Sequence, residues 1–370
     1  MFQRYVAMGN SITAGFQSGG INDSTQQQSY VALLAGKMGS PFYYPSLVKP
    51  GCPPPIDTLF TASGVPHTLG APLAPPCSFR SPNIPPFLTN VAVPGATTFD
   101  PFSTTPTPSS NALTLLILGG RSQVQAAAAA QPTFLSVWIG NNDVLGAATD
   151  TANAGTPLEV TPVALFTTHY DSMLTDLDRI STLQGGVLIG VADVAAIPYF
   201  SYGQIYFAAS AGGQLPANMT VLPNCAPSAL GGIGDTVLVP FRYGFGLIGA
   251  AQAGVPDTLD CTNDHNIEPG ELANLHATVT SYNNTISARA TTRGWAYFDP
   301  NVALATLRAD TSQVAVFPHA PPDTASVTRP FGKAFSRDGV HPSAATHKLI
   351  ANALIQVINA KYSSAIPPVP

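Results

Sequence analysis

Charge is what this 370-residue chain has least of: Asp, Glu, Lys and Arg together make up 9% of it, against about 25% in an ordinary globular chain. There is no basic run and the formal net charge is −5, so nucleic acid is excluded as an expected partner, and the acidic excess is too scattered to seek a charged one. No stretch offers 18 consecutive apolar residues, which excludes a spanning helix. Nor does a charged and then apolar leader precede the first strand, which begins almost at Met1. Any export signal is therefore expected to have been trimmed.

Cysteine is also scarce, with Cys52, Cys77, Cys225 and Cys261 alone. None sits in a C-x-x-C pair and no Cys/His spacing suits zinc, so neither a metal nor another cofactor is expected. Four cysteines allow three connectivities, or four buried thiols. The local pairing, Cys52 with Cys77 and Cys225 with Cys261, is expected because each pair brackets one irregular insertion. Each bond would contribute about 3–4 kcal/mol by restricting the unfolded chain. Two disulfides imply an exported, secreted or cell-surface protein.

What is present alternates between strand and helix. The apolar run Tyr5-Val6-Ala7-Met8 enters the turn Gly9-Asn10-Ser11, and Phe87 to Val93 forms a second strand ending at Pro94-Gly95. Thr133 to Ile139 is a third, followed by Gly140-Asn141-Asn142-Asp143; Gly186 to Asp193 and Trp295 to Phe298 are the fourth and fifth. Helical periodicity falls on Ser29–Met38, Asn111–Ala130 (interrupted at Gly119-Gly120), 162–183, 268–293 and 343–362. Five strands alternating with helices define an α/β fold with a mostly parallel sheet covered on both faces.

In such a sheet the carboxyl ends of the strands share one edge, where ligands bind. Ser11, Gly95 and Asn142 follow strands one to three, and Asp338-Gly339-Val340-His341 lies beyond the fifth, so residues scattered over the chain converge on one crevice. Their types suit acyl transfer. Ser11 is the candidate nucleophile, His341 its general base and Asp338 the group that orients the imidazole. The N–H groups of Ser11 and Gly95 and the amide of Asn142 are the candidate oxyanion donors. Asp299 is the main rival to Asp338, while Asp143 and Asp193 are expected to brace turns.

Gly9-Asn10-Ser11-Ile12, Gly95 after an asparagine-led strand, Gly140-Asn141-Asn142-Asp143 and Asp338-Gly339-Val340-His341 resemble, in order and spacing, the four blocks of the SGNH (GDSL) hydrolases. The resemblance implies a three-layer α/β/α sandwich with a flavodoxin-like sheet, and ester hydrolysis without a metal. A single hydrolase domain is expected over 1–365, and composition marks insertions at about 41–87 and 199–267 and a tail at 366–370 that is expected to be disordered. The family's first block usually has Asp where this chain has Asn10. Asparagine keeps the size and one acceptor oxygen but loses the charge.

The first insertion is rich in proline, and the second is rich in glycine and aromatic residues. The second leaves from the active edge and is expected to form a lid or acyl wall as well as a small core. The run Asp257, Asp260, Asp264, Asn266, Glu268 can be read as a calcium loop, but it lacks the EF-hand glycine and is expected to be a solvated acidic loop. The remaining histidines, among them His276 and His347, are expected to be surface or packed residues. The leading expectation is a secreted serine lipase or esterase for apolar acyl esters. The alternatives are a polysaccharide deacetylase or phospholipase of the same family, or a catalytically weak binding module, for which Asn10 is the only support.

Overall fold

The computed structural model describes residues 1–70, 85–103 and 113–370. Its central parallel sheet comprises β1 (Tyr5–Gly9), β2 (Phe134–Trp138), β3 (Gly185–Ile189) and β4 (Ala296–Phe298), in the spatial order β1-β2-β3-β4. Every residue of β1, β2 and β3 is buried, as their near-continuous apolar runs require of strands covered on both faces. The one hydroxyl among the apolar residues of β2, Ser136 Oγ, pairs with Tyr5 Oη at 2.7 Å.

The expected fifth strand is present as a path but not as a strand. Ala7 N donates to Thr89 O, Val91 N to Ala7 O and Val93 N to Gly9 O, along the edge of β1 away from β2. The pairing amounts to one parallel bridge, between Ala7 and Asn90. Asn90 explains the interruption: its Oδ1 accepts from Ala92 N and its Nδ2 donates to Thr13 O. Such a side chain competes with the ladder for backbone groups, and Pro94 then has no N–H to offer. Counting this segment, the spatial order is 2-1-3-4-5, a doubly wound arrangement whose crevice lies outside the carboxyl ends.

The helices that position the site begin with α1 (Ser11–Ala14), α2 (Tyr30–Met38), α3 (Gln123–Ala130) and α4 (Asn142–Thr149). They continue with α5 (Val163–Leu177), α6 (Phe241–Gln252), α7 (Pro269–Arg293) and α8 (Ala344–Tyr362). Successive strand residues point to opposite faces. Tyr5, Ala7, Phe134 and Val187 meet α2 and α8 on one side. Val6, Met8, Leu135 and Leu188 meet α3, α5 and α7 on the other. The helix expected over 111–130 is two among the described residues, because Gly119 and Gly120 adopt left-handed φ values of 62° and 86° that end the first at Leu118. The polar stretch after Gly15 also holds a short helix, Asp23–Gln27, closed by a capping box between Asn22 and Thr25.

The second insertion carries its own core, Tyr206, Val237, Val239, Leu247 and Leu259, around the Cys225–Cys261 disulfide. Cys77 lies outside the described residues, and so does the Cys52–Cys77 pairing. The expected disordered tail is a correction: Ile366 is buried, Ile366 N donates to Asn359 Oδ1, and Val369 N donates to Asn352 Oδ1. Two asparagines on the outer face of α8 bind the tail backbone where only solvent had been expected. Among the described residues no helix is long and apolar enough to cross a membrane.

Candidate active site

Ser11 is the first residue of α1, directly beyond the carboxyl end of β1. Three contacts hold this corner. Gln123 grips Gly9 at both ends, accepting from its N–H at 2.9 Å and donating to its carbonyl at 3.0 Å. Asn10 caps the helix by accepting from Ile12 N, and its Nδ2 donates to Asn141 Oδ1 at 3.4 Å. A Cβ on Gly9 would stand 2.4 Å from Trp138 O and 2.5 Å from Thr13 Oγ1, so only glycine lets β1 and α1 meet this closely. Behind α1, Thr13 Oγ1 pairs with Tyr30 Oη. Tyr30 N in turn donates to Nδ1 of the buried His347, whose pKa is pushed down to about 3 by burial and then by the charge of His341.

His341 Nε2 lies 2.9 Å from Ser11 Oγ, and His341 Nδ1 lies 2.8 Å from Asp338 Oδ2. An ionised carboxylate only accepts, so Nδ1 carries the proton, Nε2 accepts, and the Ser11 hydroxyl donates to it. The Asp338 carboxylate also accepts from the N–H groups of Gly19, Val340 and His341 and from Ser336 Oγ. Burial pulls its pKa upward, but the His341 charge and these hydrogen bonds outweigh burial and hold it at about 2. Phe16 tilts against the imidazole with ring centroids 4.8 Å apart. Gly339, at φ 71°, makes the tight loop that carries both side chains to one place.

Gly95 and Asn142 are brought together beside this corner. Val93 N donates to Gly9 O, which anchors the Gly95 turn two residues from Ser11. Asn142 Nδ2 donates to Ala96 O at 2.8 Å; one of its two amide protons is used there and the other is left. Among the described residues the N–H groups of Ser11 and Gly95 have no acceptor. Asp143 braces the arrangement from below by accepting from Thr98 N and Thr98 Oγ1. Its carboxyl is pushed up to about 6, chiefly by burial and in smaller part by Asp100, against the lowering effect of the Thr98 bonds.

From His341 opens a cleft of about 930 Å³. Both insertions wall it: Ile56 and Phe60 come from the first, and Phe245 and Ile248 on α6 from the second. Arg242 and Arg337 also line it, and Arg337 Nε donates to Val327 O.

Asp299 does not reach His341. It caps the helix after β4 through Asn301 N, and Asp193 likewise caps a turn through Ala195 N. Among the described residues no cluster of three or more His, Cys, Asp or Glu is placed to hold a metal ion. In the acidic run, Asp260 Oδ1 accepts from Asn224 and Thr262. Sequence reasoning missed Gln123, Thr98, Gly19 and Ser336, which hold the site from behind. Gln123 carried a signal: it is a polar residue at the start of an otherwise alanine-rich, core-facing helix.

No family model matches the chain, and no curated protein does. Among solved structures, an acetylxylan esterase from Geobacillus stearothermophilus is similar at a TM-score of 0.41 and 13% identity, over 96% of this chain and 94% of the other. An alpha/beta hydrolase from the metagenome of Lake Arreo is similar at 0.40 and 15%, over 97% and 96%. An extracellular lipase from Streptomyces rimosus is similar at 0.40 and 14%, over 96% and 98%. At that distance neither activity nor substrate carries over to this chain.

Proposed function

We propose that the chain is a serine carboxylic-ester hydrolase, exported from the cell, that acts on apolar acyl esters in the manner of the SGNH hydrolases. The observation that carries this reading is the unbroken relay of hydrogen bonds from Ser11 Oγ through His341 to Asp338. Ser11 Oγ attacks the acyl carbonyl while His341 Nε2 takes its proton. The imidazolium then protonates the leaving alcohol oxygen, which departs and leaves an acyl ester on Ser11. Water, deprotonated by the same nitrogen, releases the carboxylic acid and restores the serine.

Asp338 keeps the Nδ1–H tautomer and stabilises the cation that forms at each step. Its low pKa keeps it ionised throughout. The negative charge that develops on the carbonyl oxygen is met by the N–H groups of Ser11 and Gly95 and by the remaining amide proton of Asn142. One such donor is typically worth about 3–4 kcal/mol in the transition state. The apolar cleft beside His341 supports an apolar acyl group, and the Cys225–Cys261 disulfide supports export.

The test is turnover of p-nitrophenyl butyrate by the parent and by Ser11→Ala, with covalent labelling by a fluorophosphonate probe. We expect kcat to fall by about 10⁴-fold or more and labelling to vanish. Hydrolysis that survives in Ser11→Ala would overturn the reading.

A further inference from the structure

α6 is a helix that sequence propensity does not favour, since it holds three glycines in twelve residues, Gly244, Gly246 and Gly249. Packing explains the first: a Cβ on Gly244 would stand 2.0 Å from Tyr206 Oη. It explains neither of the others, because a Cβ on Gly246 or Gly249 would meet no atom within 4 Å. Both instead line the cleft that opens from His341, on the same helical face as Arg242, Phe245 and Gln252. Across that face stands Phe60 from the first insertion, its ring centroid 5.5 Å from that of Phe245 and 6.1 Å from that of Phe241. Phe241 and Phe245 lie tilted against each other with centroids 4.7 Å apart, and Phe331 meets Phe241 edge-on at 5.0 Å.

The cleft thus has an aromatic wall, joined by rings from both insertions, beside two helix positions, Gly246 and Gly249, that carry no side chain. An acetyl group would occupy only a corner of it, since its volume lies in the range of about 300–1,000 Å³ that holds drug-sized ligands. We propose that Gly246 and Gly249 are specificity-determining residues: they leave open a groove that takes an acyl chain of roughly eight carbons or more, bounded by Phe60 and Phe245. This rests on the serine-hydrolase reading above. It adds the length of the acyl chain and the positions that select it.

The experiment compares kcat/KM for p-nitrophenyl dodecanoate and p-nitrophenyl acetate in the parent, Gly246→Leu and Gly249→Leu. The parent is expected to favour dodecanoate by about tenfold or more, and each variant to lower that ratio by about tenfold or more. Leucine is the better helix former, so the melting temperature of the variants should not fall. Should either variant fail to fold, Gly246→Ala is expected to lower the ratio by about threefold. A parent that favours acetate, or folded variants whose ratio stays at the parent's, overturns the groove while leaving Ser11-dependent hydrolysis in place. A protein that hydrolyses neither ester overturns the serine-hydrolase reading, and the groove with it.

Discussion

Asp338–His341 and Asp193–His276 both stand at the carboxyl edge of the sheet, one pair beside the end of β1 and the other beyond β3. In the first, the two side chains are 2.8 Å apart and nearly buried, and the imidazole meets a serine hydroxyl. In the second they are 3.4 Å apart, and the imidazole is half exposed. That second pair borders a smaller cavity of about 470 Å³ with Asn283, Tyr297 and Asp299, and among the described residues no hydroxyl is hydrogen-bonded to the His276 imidazole, the Thr280 hydroxyl reaching only the His276 backbone carbonyl. Asp193 already spends one oxygen on Ala195 N, whereas Asp338 gathers three backbone N–H groups and a serine hydroxyl around the imidazole bond. A histidine beside a carboxylate is common on protein surfaces. What distinguishes a relay is a buried carboxylate held by several donors, a hydroxyl at the far ring nitrogen, and unclaimed N–H groups where an oxyanion would sit.

The sharpest way to break this comparison is to neutralise both acids in turn. Asp338→Asn is expected to lower kcat by roughly 10²–10⁴ with little change in KM, because the imidazole loses its tautomer and the partner of its cation. Asp193→Asn should stay within about twofold of the parent, as surface substitutions away from a site do. Steady-state kinetics on one p-nitrophenyl ester checks both. A defect that falls on Asp193 would reverse the assignment.

A second test sharpens the contrast between buried carboxyls. Asp338, with many donors and a cation beside it, is held near 2, while Asp143, with its Thr98 and Thr161 bonds outweighed by burial, is pushed up to about 6. The signs are opposite. Asp338 adds stability above its unfolded value near 4 and loses it only as pH falls towards 2. Asp143 binds its proton more tightly folded than unfolded, so its contribution is full below pH 4 and is lost as pH rises to 6, by about 3 kcal/mol. Urea midpoints measured from pH 4 to 6 should therefore show a falling component in the parent that is missing in Asp143→Asn. Identical slopes in the two proteins would show that Asp143 does not titrate there.

The smallest effect is expected at Asn10. Its Oδ1 already serves as the cap for Ile12 N, a task a carboxylate performs equally well. Asn10→Asp should leave kcat/KM within roughly tenfold of the parent, about 1.4 kcal/mol in the barrier. A change of several orders of magnitude would mean that charge at this corner tunes the nucleophile.

How much of this was legible beforehand depended on the range of the interactions. β1, β2 and β3 could be read because burial on both faces writes a continuous apolar run. The turns after them could be read because glycine and small polar residues mark strand-to-helix corners. Asp338 and His341, three residues apart in one short loop, carried their relation in their spacing. The segment at 87–96 looked like a strand, since nothing local discloses that Asn90 spends its side chain on Thr13 and Ala92. The tail looked free because Asn352 and Asn359 read as ordinary polar positions on a helix. Gln123 and the cleft wall were hidden for the same reason: their partners lie more than a hundred residues away, at Gly9 for Gln123 and at Phe60 for α6.

The distance along the chain between Ser11 and His341, 330 residues, also sets an order of events during synthesis. The serine leaves the ribosome 330 residues ahead of the imidazole it bonds. His341 reaches Ser11 only when the loop before α8 is in place, and α8 seats against α2 on the face of the sheet that includes β4. Domains fold as units while chains emerge from the amino terminus. A partly made chain therefore holds the hydroxyl without the imidazole that, under the proposed function, would activate it. Under the proposed function, competence to hydrolyse would arrive only once the loop before α8 is seated, so that its appearance in a translation time course would report the meeting of His341 with Ser11.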